Sequence, residues 1–243
     1  MPELKTEFVA LKVSDGTTMR AFVAQGEGRE KSPGLLVFQE AFGVNKHIRE
    51  VTERFAKEGY LAIAPELFHR TAPAGYEGNY ADFQSVMPHV MALNDKNLEA
   101  DIRATHEALL LHSAMDAQRV ACVGFCMGGR VSFLANLILP LRAAISFYGG
   151  GIAKSERGPG LLERAEETHG PILLFWAGLD KHISPEQRQA VADALRSARK
   201  TFASMEFADA DHAFFCDARP SYNRAAAEQA WALSLAFLKS NLG

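Results

Sequence analysis

The chain has 243 residues, 48 % of them hydrophobic and 23 % charged, with a formal net charge of −3 at pH 7. A chain of that length and balance is expected to form one globular domain, residues 1–243, whose core needs no covalent staple. The mild acidity and the lack of any basic block argue against nucleic acid or an anionic membrane as partner.

In chain order, Glu7–Val13 and Met19–Ala24 flank the turn Ser14-Asp15-Gly16 and predict an antiparallel hairpin. Gly34–Gln39 (GLLVFQ) predicts a buried strand. Asn45 predicts the cap of a helix that carries Ile48, Val51 and Phe55 on one face and ends at Gly59. Tyr60–Ala64 follows as a strand stopped by Pro65. Residues 65–93 read as a loop with a short helix over one end of a sheet. Asp95–His112 predicts a helix with Leu98, Ile102, Thr105 and Leu109 aligned. A strand at 119–123 and a helix at 127–139 come next. Strands are expected at Arg142–Tyr148, Ile172–Ala177 and Phe202–Phe207. Helices are expected at Pro185–Ala198 and Tyr222–Leu242, the last with Ala226, Ala230, Leu233 and Phe237 aligned. Strands alternating with helices predict an α/β fold with a mostly parallel sheet covered by helices on both faces.

No apolar run reaches the ~18 residues that would span a bilayer. The opening MPELKTEF lacks the apolar segment of a secretion signal. Cys122, Cys126 and Cys216 are an odd set without paired spacing, which argues against a disulfide framework or a zinc site and for a reducing, cytoplasmic compartment.

In such sheets ligands bind beyond the carboxyl ends of the strands. The polar residues there are Gln39-Glu40, Cys126, Asp180 and His212, and the last three run in the order nucleophile, acid, histidine. Cys126 sits in Gly124-Phe125-Cys126-Met127-Gly128, a G-x-C-x-G corner between a strand and a helix. That order and that corner are those of the α/β-hydrolases, where a tight turn lifts the nucleophile above the sheet. Glycines are expected where a side chain would strike the turn. Cys126 would attack as thiolate, His212 would act as general base and acid, and Asp180 would hold the imidazole tautomer. The Met127 N–H, at the helix start, would donate to an oxyanion, with a second donor from the backbone after Gln39-Glu40.

The residues resemble the dienelactone hydrolase family over nearly the whole chain. Gly124-Phe125-Cys126-Met127-Gly128-Gly129 matches its G-x-C-x-G-G elbow, and Gln39-Glu40-Ala41-Phe42-Gly43-Val44-Asn45 its Q-E-x-F-G-V-N segment. Ala64-Pro65-Glu66-Leu67-Phe68, Phe147-Tyr148-Gly149, Gly178-Leu179-Asp180 and Asp211-His212-Ala213-Phe214 are similar to further family segments. The resemblance implies an α/β-hydrolase fold and a cofactor-independent hydrolase of small esters or lactones. It implies Cys126, Asp180 and His212 as the triad, and the N–H groups of Met127 and Ala41 as the oxyanion hole. It implies Glu40 as an extra carboxylate that contacts the resting thiol and swings away when substrate arrives. The family also holds a substrate carboxylate with two arginines. Here residues 71–93 contain no arginine or lysine, Cys216 stands four residues after His212, and Arg70 and Arg219 do not match the family positions. Phe42, Tyr76, Tyr80, Phe83, Tyr148 and Phe214 suggest a more apolar pocket, suited to neutral esters, aryl esters or lactones.

Other residues compete for these roles. Cys122 reads as core, and Cys216 as a thiol near the pocket mouth that could touch substrate. Asp209 and Asp211 read as turn or cap residues, and His182 as a loop residue too close to Asp180 to share its work. His47-x-x-Glu50 lacks further ligands and reads as a solvated face, so no metal is expected. Gly149-Gly150-Gly151 lacks the lysine of a phosphate loop. Two alternatives stay open: an activated thiol that attacks phosphorus or a thioester, and a non-catalytic binding module. A monomer or weak dimer is expected.

Overall fold

The computed structural model describes residues 3–26, 31–154 and 160–243. The chain forms two compact units, Met1–Ala121 and Cys122–Gly243.

In the first unit the hairpin is as expected but longer: β1 (Leu4–Lys12) pairs antiparallel with β2 (Thr18–Gly26). Its turn is closed by the Gly16 N–H on the Val13 carbonyl, 2.9 Å, with Gly16 at φ 88°. β2 pairs antiparallel with β4 (Leu61–Pro65), and β4 pairs parallel with β3 (Ser32–Phe38), giving the order β1-β2-β4-β3. Leu35 to Phe38 are fully buried, as a strand covered on both faces requires.

α1 (Lys46–Lys57) starts at Asn45, whose side chain accepts from the Ile48 N–H at 3.2 Å. Such a cap is worth about 1 kcal/mol. Ile48, Val51 and Phe55 are buried as their spacing predicts. His47 is buried too, at 5 % exposure, which corrects its reading as part of a solvated face: it lies on the inner side of α1. α2 (Phe83–Ala92) is the short helix expected within 65–93, capped by Asp82. α3 (Asp95–Leu111) buries Leu98, Ile102, Thr105 and Leu109, and also Asp101, a charge that the helical pattern does not place inside.

β5 (Met115–Phe125) starts four residues before the expected strand because Ala117 and Gln118 are exposed, so its first half lacks an apolar signature. In the second unit α4 (Met127–Ile138) follows the elbow. β6 (Ala143–Phe147), β7 (Ile172–Ala177) and β8 (Phe202–Phe207) pair in parallel in that order. A 3₁₀ helix, Leu162–Glu167, is too short to leave a periodic signal.

α5 (Pro185–Ser197) has a capping box, Ser184 with Gln187, and Pro185 in its first turn. α6 (Arg224–Leu242) is capped by Asn223 and not begun at Tyr222. Its buried stripe is Ala226, Ala230, Ser234, Leu238 and Leu242, rotated from the expected one, and Leu233 is 38 % exposed. Ser234 can be buried because its hydroxyl donates to the Ala230 carbonyl at 2.7 Å. Among the described residues no helix is long and apolar enough to cross a membrane.

Candidate active site

The elbow is set by three close approaches. β5 ends at Phe125, and Cys126 follows at φ 56° and ψ −121°, a strained conformation for a residue with a side chain. Its N–H donates to the Phe147 carbonyl at 3.0 Å, and its carbonyl accepts from the Gly129 N–H at 2.9 Å. A Cβ on Gly124 would overlap the Gly128 carbonyl, and one on Gly129 would lie 2.8 Å from the Phe147 carbonyl oxygen and the Gly149 Cα. The glycines are therefore a packing requirement of the bend. Gly124→Ala is expected to cost about 3 kcal/mol, because the atom in the way is backbone and cannot rotate aside. A denaturant midpoint equal to the native one would contradict this.

The bend holds Cys126 partly exposed at the start of α4, where the positive end of the helix dipole favours a thiolate. His212 Nε2 lies 3.1 Å from Cys126 Sγ. On the other side of the ring, Asp180 Oδ2 accepts from His212 Nδ1 at 2.7 Å, and Asp180 Oδ1 accepts from the His182 N–H at 2.7 Å. A carboxylate can only accept, so Nδ1 carries a proton.

The two loops that bring these groups together are tied to each other. Gly178 N–H donates to the Phe207 carbonyl and Leu179 N–H to the Ala210 carbonyl, at 2.8 and 2.9 Å. Arg188, buried on α5, donates to the Ala177 carbonyl at 2.6 Å and fixes the end of β7. Asp211 accepts from the His212 N–H, and Ala213 takes a left-handed φ of 65°, so Asp211 serves the turn and Asp180 faces the ring.

Burial resists a charge on His212. The Cys126 charge, then hydrogen bonds to Asp180 and Cys126, overcome that and raise its pKa to about 10. For Asp180, burial pushes upward, but the hydrogen bond and charge of His212 together with the N–H and charge of His182 outweigh it, and its carboxyl lies below the usual range. His212 thus stands between Asp180 and the Cys126 sulfur, and both favour its charged form.

Cys122 lies beneath in β5, fully buried, with its sulfur 3.1 Å from Ser132 Oγ, and burial pushes its thiol up to about 12. It is a core thiol. Cys216 has no exposed surface, which corrects its expected place at a pocket mouth: the turn after His212 carries it inward, its N–H on the Ala213 carbonyl. Tyr148 and Phe214 are also fully buried and touch each other, ring centroids 5.3 Å apart, so they form the wall behind His212, which Tyr148 meets at 5.2 Å.

In the first unit Glu40 and Ala41 are buried, and Gln39 holds their segment by accepting from the Leu67 N–H at 3.0 Å. Phe42, Tyr80 and Phe83 form one aromatic cluster, with Phe42 4.6 Å from Tyr80 and 6.0 Å from Phe83. The Tyr80 hydroxyl accepts from Asn45 at 2.8 Å, and Tyr76 packs apart, on His89. Arg70 is wholly committed. Its two terminal nitrogens each donate to Asp101 at 2.8 Å and its Nε donates to Asp15 at 2.8 Å, while His69 reaches Asp101 at 3.1 Å. That fork is closed to a substrate carboxylate. Among the described residues no group of three or more metal-ligating side chains occurs.

The sequence profile of the dienelactone hydrolase family matches residues 19–242. The chain belongs to that family. A relative from Synechocystis, named a putative carboxymethylenebutenolidase, is 33 % identical over 94 % of each chain. One of the same name from Escherichia coli O157:H7 is 36 % identical over 93 % of this chain and 84 % of its own. The crystal structure of a putative dienelactone hydrolase from Klebsiella pneumoniae superposes with a TM-score of 0.88 at 31 % identity, covering 98 % of this chain and 99 % of that one. The protein is thus a hydrolase with the α/β-hydrolase fold that the resemblance implies.

Proposed function

We propose that this protein hydrolyses small neutral esters or lactones through an acyl-cysteine intermediate, with residues 1–243 working as one catalytic domain. The observation that carries the proposal is the line Asp180–His212–Cys126, with contacts of 2.7 and 3.1 Å at the end of a strained elbow. The names of the relatives favour a carboxylic ester or lactone as substrate.

The Cys126 thiolate attacks the carbonyl carbon, and the C–S bond forms as the carbonyl electrons move to oxygen. The oxyanion faces the start of α4, where the Met127 N–H donates to it. Collapse breaks the bond to the leaving oxygen, which takes the proton from His212 Nε2. Acylation also removes the thiolate charge that raises the His212 pKa, and burial then favours the neutral ring. The imidazole is released as a base when water must be activated. Water attacks the thioester, gives its proton to His212, and Cys126 leaves as thiolate.

Glu40 and Ala41 are assigned by motif alone, Glu40 as the extra carboxylate and Ala41 as the second oxyanion donor. The aromatic residues Tyr76, Tyr80 and Phe83 are assigned to the apolar side of the substrate, and Phe42, buried at 1 % exposure, to the support of Tyr80 and Phe83. Tyr148 and Phe214 are assigned to the support of His212. A small-molecule substrate and no cofactor complete the reading.

The test is trapping. Brief mixing with 4-nitrophenyl acetate, acid quench and peptide mass analysis are expected to find one acetyl group, on Cys126. Acetylation elsewhere at full burst amplitude, or a burst without any acyl adduct, would remove the thiol from the reaction.

The commitment of Arg70 to Asp101 leads to a second expected result. Aryl esters bearing a free carboxylate should show kcat/KM roughly 10- to 100-fold below that of neutral esters of equal size, the value of charge-assisted bonds that Arg70 cannot supply. Steady-state kinetics favouring the acidic ester would point to Arg219 instead.

A further inference from the structure

The turn after Asp180 carries a second imidazole. His182 lies two residues beyond the acid, and its ring meets that of His212 edge to face, with centroids 5.1 Å apart and planes at 77°. Its own N–H is the donor that holds Asp180 Oδ1 at 2.7 Å. One residue thus orients the acid with its backbone and touches the base with its side chain.

Although the His182 ring is exposed, its backbone is anchored on both sides. Before it stands the bond to Asp180. After it come Ile183, buried at 4 % exposure, and Ser184, which caps α5 in a capping box. The other ring against His212 is Tyr148, fully buried and fixed by its N–H on the Phe175 carbonyl at 2.8 Å. His212 itself keeps 13 % of its side chain exposed. Tyr148 is its contact on the core side and His182 its contact on the solvent side.

Both nitrogens of His212 are engaged, Nδ1 by Asp180 and Nε2 by Cys126. The contact with His182 is therefore one of ring surfaces, with no nitrogen left to relay a proton. A ring contact of that kind restrains tilt, and tilt is what would lengthen the 2.7 and 3.1 Å contacts together.

We propose that His182 is a positioning residue: its ring closes the solvent side of His212 and holds that imidazole in line between Asp180 and Cys126. The inference rests on the reading of Cys126 and His212 as the reacting pair. The function needed is the ring and not its basicity, so another aromatic ring should serve.

The experiment compares His182→Ala and His182→Phe with the native protein. Both keep the backbone N–H on Asp180, and both change an exposed side chain, so thermal midpoints are expected to stay near the native value. With 4-nitrophenyl acetate, His182→Ala is expected to lose about 3- to 10-fold in kcat with KM unchanged, the scale of one aromatic contact. His182→Phe is expected to recover most of that loss.

A second readout does not depend on turnover. In ¹⁵N-resolved NMR the His212 Nδ1 proton should be visible in the native protein and in His182→Phe. In His182→Ala it should broaden through exchange with water. A native kcat and a sharp Nδ1 proton in His182→Ala would overturn the proposal. Equal loss in the two variants would overturn it as well, because the imidazole itself would then be needed. If Cys126→Ala kept full turnover, the reaction scheme would fall while the proton readout still decided the role of His182.

Discussion

Cys126→Ala is expected to lower ester hydrolysis by about 10³-fold or more, to a rate close to that of the ester in buffer. The size follows from what the elbow is built to do. The strained φ of 56° at Cys126, the glycines that allow Gly128 and Phe147 to crowd it, and the start of α4 all serve to present one sulfur. Without the sulfur, the oxyanion donor and the imidazole remain but no covalent step is available. Cys126→Ser should also fall steeply, by about 10²-fold or more, although an oxygen occupies the same place. The thiolate charge is the largest influence raising the His212 pKa, and a neutral hydroxyl does not supply it. The serine hydroxyl must lose its proton during the attack, and an alcohol ionises far less readily than a thiol. Initial rates with 4-nitrophenyl acetate decide both variants. Native turnover in the alanine form would leave Cys126 without a role; native turnover in the serine form would show that the readier ionisation of a thiol is not needed.

The elbow could be read from sequence because its chemistry is local. Gly124, Cys126 and Gly129 lie within six residues, and the backbone overlaps that force glycine act over the same distance. Asp180 could be read because β7 is an unbroken apolar run whose end is visible, and His212 because it follows the polar turn Ala208-Asp209-Ala210-Asp211 after Phe207. What the sequence concealed depends on partners brought from far away. Arg70 looks free to bind a carboxylate until α3 brings Asp101, 31 residues later, against it. Cys216 looks exposed until the left-handed Ala213 turns the chain inward. The stripe of α6 differs from the expected one because Ser234 counts as polar in a pattern, whereas its hydroxyl is satisfied within its own helix. By spacing alone His182 reads as a loop residue, since a ring contact at 77° has no signature in a one-dimensional pattern.

Asp180→Asn should be nearly as damaging as loss of the thiol, by about 10²- to 10⁴-fold in kcat/KM, for a reason of tautomers. Asp180 Oδ1 accepts from the His182 N–H, so the asparagine carbonyl must take that place and its NH₂ must face His212 Nδ1. Nδ1 then has to accept, and a neutral ring carries its proton on Nε2, the atom that must receive one from water. The same change lowers the His212 pKa, because a hydrogen bond and a negative charge that raise it are lost. A histidine raised to about 10 in the folded protein stabilises the fold fully below its ordinary value of 6.5 and loses that contribution as pH climbs through about 10. In Asp180→Asn the upper end of that window moves down. Denaturant midpoints measured from pH 6 to 10 should therefore decline for the native protein from about pH 6.5 up to about pH 10, whereas for Asp180→Asn the decline should level off at a lower pH. Superimposable midpoint curves, or a variant with native kcat/KM, would show that Asp180 neither holds the charge on His212 nor sets its tautomer.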